Sequence, residues 1–207
     1  MKTCTAIPTV LLLSALAALA QGYVNFSTRV SGTVVGHVYY LESDVFVKKF
    51  GNTATETPAG TQTYEGAWLT GSGFSAQLWA ANGPNQPVSA LMAIPGSVTS
   101  FRTGGPLGGT PAPIAPLIVP WIPAGGTGTF QVRAWYNDGG SVTSWNTDFS
   151  GQSALFNVYN LGDGILTLPA NLDNFRSFNI FIIPEPSSYA LLALGGLALS
   201  LWRRRAR

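Results

Sequence analysis

The sequence predicts an all-β fold: a single β-sandwich, of jelly-roll or immunoglobulin-like kind, flanked on each side by an apolar segment. Three observations predict it. Apolar and polar residues alternate at period two over several short runs, which marks half-buried strands. Glycine (24) and proline (14) are abundant and fall between those runs, where turns require them. No interior stretch sustains the 3.6-residue period of a helix. Only 10% of the 207 residues are charged, against roughly 25% in an average soluble domain. Aromatic residues make up 12%, which argues against a disordered chain.

The first strand is predicted over residues 23–30, with Val24, Phe26, Thr28 and Val30 on one side. Others are predicted over 32–41, 74–80, 97–102, 153–159 and 176–183. Residues 129–136 turn Phe130, Val132, Ala134 and Tyr136 to one face. Asn137-Asp138-Gly139-Gly140 follows and supplies the positive-φ residues of a hairpin turn, with residues 141–145 as the returning strand. Two stretches interrupt the alternation. Residues 52–63 are rich in Thr, Pro and Gly and read as a long exposed loop. Residues 103–128 carry six prolines, and Leu117-Ile118-Val119-Pro120-Trp121 within them reads as an edge strand, where proline is tolerated. Neither is a domain boundary, because too few residues flank it to build a separate core. About seven or eight short strands suit one sandwich, with a closed barrel as the alternative.

The two ends carry a different signal. Lys2 precedes an apolar run from Val10 to Ala20, and Ala18-Leu19-Ala20 is the small-x-small pattern a signal peptidase accepts. Residues 1–20 therefore read as a signal peptide cut before Gln21. The run is shorter than the ~20 residues of a spanning helix. Cys4 is the only cysteine and lies inside this segment, away from the lipidation position. The exported domain, residues 21–183, then has no disulfide, thiolate metal site or cysteine nucleophile. It holds six basic residues against eight acidic ones, a net of −2. With no basic stripe to meet a phosphate backbone, nucleic-acid binding is excluded.

Residues 184–207 form a tail in three parts. Pro184-Glu185-Pro186 is extended by its prolines and presents one carboxylate. An uncharged run follows, with Leu191, Leu192, Leu194, Gly195, Gly196, Leu197, Leu199 and Trp202 as its membrane-anchoring residues. Arg203, Arg204, Arg205 and Arg207 close the tail as a cytoplasmic stop, since guanidinium groups do not cross a bilayer cheaply. The uncharged run is short for a span, so snorkelling arginines and bilayer thinning would close the gap. With the N-terminus exported, the expectation is a single-pass inner-membrane protein whose bulk lies outside the cytoplasm, at the cell surface or extracellular once the tail is processed.

This tripartite tail, behind a signal peptide, resembles the PEP-CTERM sorting domain. The resemblance implies processing by an exosortase, a membrane cysteine transpeptidase-like enzyme of Gram-negative bacteria often found alongside exopolysaccharide export. It makes Pro184, Glu185 and Pro186 recognition residues of a substrate, with no catalysis of their own. The interior is similar to other exported PEP-CTERM proteins in Val24-Asn25-Phe26, in residues 73–79, in Phe101-Arg102-Thr103-Gly104 and in residues 131–135. That likeness adds no chemistry.

Chemistry in the interior is sparse. His37 is the only histidine. It reads as a structural strand residue, with Glu42 or Asp44 as the carboxylates that would make it a base. No zinc or iron site can be assembled from one histidine and no thiolate. Asp138, Asp148, Asp163 and Asp173 sit among Asn and Gly, where turn chemistry explains them. Paired carboxylates for glycoside hydrolysis and a calcium loop at residues 160–164 are the rival readings. No catalytic residue, metal or cofactor is assigned. The one binding hypothesis concerns aromatics. If Phe130, Val132 and Ala134 face inward, Trp135 faces outward, and Trp145 on the returning strand shares its face. A solvent-facing Trp135 and Trp145 pair would grip sugar rings of an exopolysaccharide. The alternative is that a loop or a neighbouring copy covers both. The expected function is a non-enzymatic surface or extracellular-matrix protein, with a carbohydrate-binding module as the alternative and a hydrolase third.

Overall fold

A computed structural model describes residues 20–145 and 148–183; residues 1–19 of the predicted signal peptide 1–20 and the tail 184–207 lie outside them. The described part is built from strands and three short 3-10 turns. In chain order the strands are β1 (Gln21–Val24), β2 (Arg29–Val30), β3 (Val34–Val35), β4 (Val38–Tyr39), β5 (Phe74–Asn82), β6 (Met92–Ala93) and β7 (Thr99–Ser100). They continue with β8 (Leu117–Pro123), β9 (Gly128–Tyr136), β10 (Phe149–Gln152), β11 (Phe156–Val158), β12 (Phe178–Asn179) and β13 (Phe181–Ile182). Among the described residues no helix is long and apolar enough to cross a membrane.

β5 and β9 form the spine. They pair antiparallel in unbroken register, from Phe74 opposite Tyr136 to Asn82 opposite Gly128. β6 and β7 add to β5, β10 and β11 add to β9, and β13 lies against β10, making a seven-stranded sheet. Three two-stranded pairs complete the fold: β1 with β8, β2 with β3, and β4 parallel to β12.

Alternation explains the core. Ala76, Leu78 and Ala80 of β5 share a face with Phe130, Val132 and Ala134 of β9, and all six are fully buried. They pack with Val24, Val38, Val119, Ile122 and Phe178 from the small pairs, and with Ile180 just beyond β12, in one hydrophobic cluster. Burying a large apolar side chain stabilises by about 1.5–3 kcal/mol, so this cluster is the main source of stability. The strand predicted over 23–30 breaks after Val24 and resumes as β2 at Arg29, yet its inner side is as predicted: Val24, Phe26 and Thr28 are buried and Val30 partly so. β8 is the strand read from Leu117 to Trp121, extended to Pro123, and it pairs only with β1 among the described residues.

Two expectations need correction. Residues 141–145 do not return as a strand. Asp138, Gly139 and Gly140 do take positive φ (48°, 66° and 99°), so the turn forms, but the strand that pairs back onto β9 is β10. Residues 141–145 instead cross the outer face of the sheet, where the Trp135 indole N–H donates to the Val142 carbonyl at 3.1 Å. Gly151 of β10 stands opposite Ala134 and lets residues 179–180 pack closely over it, since a Cβ there would meet the backbone of Asn179 and Ile180. Residues 52–63 are also not simply an exposed loop. Asn52 and Glu56 are buried, and Thr57 bridges to Val35.

Candidate functional site

The outer face of β9 is covered. Thr129, Gln131, Arg133 and Trp135 follow one another along it and are 1%, 2%, 6% and 0% exposed. The predicted solvent-facing Trp135–Trp145 pair therefore does not form. Trp135 is enclosed by the crossing segment that takes its N–H, and Trp145 lies over the Arg133 guanidinium, 4.5 Å from it to the ring centroid. Trp79 covers the other side at 3.8 Å. Arg133 is thus held between two indoles, and its Nε–H donates to Gln131 Oε1 at 2.9 Å. Gln131 in turn donates to the Ser153 carbonyl at 3.0 Å. Burial lowers the Arg133 pKa, and the two π-faces are what hold the cation. Arg133→Ala is expected to lose about 1–2 kcal/mol of stability. It should also redden Trp emission as Trp145 is released, which fluorescence-monitored denaturation reads directly.

His37 finds a carboxylate, though not one near it in sequence. Its partner is Glu56, with Nδ1 at 2.7 Å from Oε1. Glu56 collects three more donors: Ser177 Oγ at 2.7 Å and Tyr39 OH at 3.1 Å on Oε1, and the Thr53 N–H at 2.7 Å on Oε2. The parallel β4–β12 pair brings Ser177 beside His37, whose backbone N–H donates to Ser177 Oγ at 2.8 Å. Aromatic rings seal the cluster. His37 stacks on Trp68 at 4.4 Å, and Tyr39 on Tyr64 at 3.9 Å. Burial raises the Glu56 pKa, but the hydrogen bonds from His37, Thr53 and Ser177, with the His37 charge, outweigh it and hold the carboxyl below its ordinary 4.5. Burial also pushes the Tyr39 hydroxyl up to about 12.

His37 Nε2 is buried with no partner among the described residues. Ser177 gives its proton to Glu56 instead of facing that nitrogen, so no nucleophile–base contact is formed. The carboxylates expected beside His37 are occupied elsewhere. Glu42 pairs with the Lys49 ammonium, and Asp44 accepts the Phe46 N–H at 3.1 Å. Glu56 lies 19 residues from His37, beyond the reach of local spacing. One signal would have found it: it is the only charged residue in 52–63.

The aspartates sit in turns. Asp163 Oδ1 accepts the backbone N–H of Ile165, Leu166 and Thr167 at 2.7–2.8 Å. The Thr167 and Ile165 amides above all hold its pKa down to about 2, and that carboxylate oxygen is committed to the turn instead of a calcium ion. Asp138 Oδ2 accepts the Ser141 hydroxyl at 2.9 Å.

The sorting residues Pro184, Glu185 and Pro186, the anchor from Leu191 to Trp202 and the arginines lie outside the described residues. The structure leads up to them: β13 ends at Ile182, one residue before Ile183. The class of protein is therefore an all-β domain running directly into its predicted sorting segment. Residues 183–205 match the PEP-CTERM protein-sorting motif, and the chain is an exported protein bearing that motif. Neither a curated protein nor a solved structure matches the chain.

Proposed function

We propose that this chain is a non-enzymatic cell-surface or extracellular-matrix protein, exported behind a cleaved signal peptide. On this reading residues 21–183 are one β-sandwich, and residues 184–207 hold it in the inner membrane until an exosortase reads Pro184, Glu185 and Pro186. The sorting motif at residues 183–205 carries the proposal. The all-β domain supports it, since the seven-stranded sheet and the smaller pairs form one hydrophobic core among the described residues. The four arginines fix the orientation, with the domain outside and the tail's end inside.

Deleting residues 184–207 tests this. The truncated protein is expected in the soluble exported fraction, with the β-rich circular dichroism of the full chain, while the full chain fractionates with membranes. A truncated protein that stays in the membrane pellet would refute the anchor. Glu185→Ala is expected to block processing without releasing the protein, and intact mass of the mature chain reads both cleavages.

A further inference from the structure

Where β11 runs out, a cleft of about 360 Å³ opens between residues 157–160 and 169–174. We propose that it binds a neutral sugar ring, one pyranose unit of a neutral polysaccharide. The lining carries the argument. Asn160, Asn171 and Asn174 contribute amides, Asp173 the one carboxylate, and Tyr159 an aromatic ring that is 55% exposed. No Lys, Arg or His lines the cleft, so an anionic ligand meets no counter-charge and one repelling carboxylate. An apolar ligand would strand amide groups away from water, which is unfavourable. A polyol offers donors and acceptors together, and amides offer the same pair in return.

The cleft is built in advance. Asn157 Oδ1 accepts the Asn85 N–H at 3.0 Å and the Thr129 hydroxyl at 3.1 Å, and its amide donates to Asn85 Oδ1 at 2.9 Å. Asn174 donates to the Asn157 carbonyl at 2.9 Å, and Asn25 donates to Asn171 Oδ1 at 3.0 Å. Asn160 takes a left-handed φ of 53°, a conformation asparagine accepts and most side chains avoid. Its turn sets Tyr159 beside the amides. A single carboxylate is half of what glycoside hydrolysis needs, so the site holds a sugar without cleaving it.

Its place in the fold suits that role. β11 pairs with the start of β9, with Val158 opposite Gly128. β13 leaves toward the tail beside Phe149, at the Tyr136 end of β9. Those ends are about 25 Å apart along the strand. An anchored domain would therefore turn the cleft away from the bilayer. This inference goes beyond the sorting proposal and does not rest on it: its failure would leave the fractionation result untouched.

Native gel retardation of the full-length protein in detergent tests it, with dextran, mannan, galactan and xylan as neutral probes and polygalacturonate as the anionic one. At least one neutral polysaccharide should retard the protein, and polygalacturonate should not. Tyr159→Ala and Asp173→Ala are expected to weaken that retardation about tenfold or more, as does Asn160→Gly, which keeps the left-handed turn. Tyr136→Ala, an exposed aromatic change at the other end of the sheet, should leave it unchanged, and unaltered melting confirms that each variant folds. Retardation by none of the four neutral glycans, equal retardation of the cleft variants, or equal retardation by polygalacturonate overturns the proposal.

Discussion

Glu56→Ala is expected to destabilise the domain by about 3–5 kcal/mol, since several buried donors lose their acceptor together at about 1–3 kcal/mol each. Three side-chain donors and one backbone N–H converge on this carboxylate, and the side chains of His37 and Glu56 are 5% and 2% exposed. Removing it leaves His37 Nδ1, the Ser177 and Tyr39 hydroxyls and the Thr53 N–H without an acceptor at once. It also cuts one of the ties between residues 52–63 and the β4–β12 region, leaving the Ser177 N–H on Asn52 Oδ1 at 3.0 Å. Against a typical total of about 5–15 kcal/mol, the loss would leave little of the native state. Glu56→Gln keeps the shape but must aim its NH₂ at the donors of one side, so its cost should fall between. Because the folded-state pKa of Glu56 lies below 4.5, its stabilisation is fully present above that value and is lost as pH falls through the folded pKa. The wild type should therefore lose stability below pH ~4.5 more steeply than Glu56→Gln. Urea denaturation across that range reads both effects, and matching pH profiles would count against the hub.

How much of this was legible depended on the range of the interaction. Period-two burial is local, so Val24, Phe26 and Thr28 inside, or Phe130, Val132 and Ala134 inside, follow from adjacent letters. Turn chemistry is local too: Asp138, Gly139 and Gly140 adopt the left-handed backbone their identities allow. The Glu56 cluster is not local. It joins residues separated by 19 and 121 positions, and only the parallel β4–β12 pairing brings Ser177 to His37. The outer face failed for a related reason. Alternation correctly set Trp135, Arg133 and Gln131 opposite the core, but no period in a single strand says whether a later segment will cover that second face. A polar residue on a strand need not be a wet one. Gln131 and Arg133 are instead satisfied by Ser153, by each other and by two indole rings. The cleft escaped notice because its lining reads as turn residues, each explicable alone.

Trp135→Ala should cost about 3–5 kcal/mol, the range for emptying a fully buried aromatic site. The side chain is 0% exposed, and its indole N–H is the described hydrogen bond that fastens residues 141–145 across the sheet, at Val142. Losing it should therefore do more than open a cavity. The crossing segment loses its anchor, and Trp145 loses its hold over Arg133. Trp135→Phe separates the two contributions: it keeps most of the ring and gives up the N–H, so about 1 kcal/mol is expected from the hydrogen bond, with a smaller packing loss. The same pair of variants judges the sugar hypothesis for this face. A surface platform tolerates truncation, because an exposed aromatic contributes little to folding. If Trp135→Ala melted within a degree or two of the wild type, the face would be open, residues 141–145 would be detached from it, and the two tryptophans would again be free to meet a ligand.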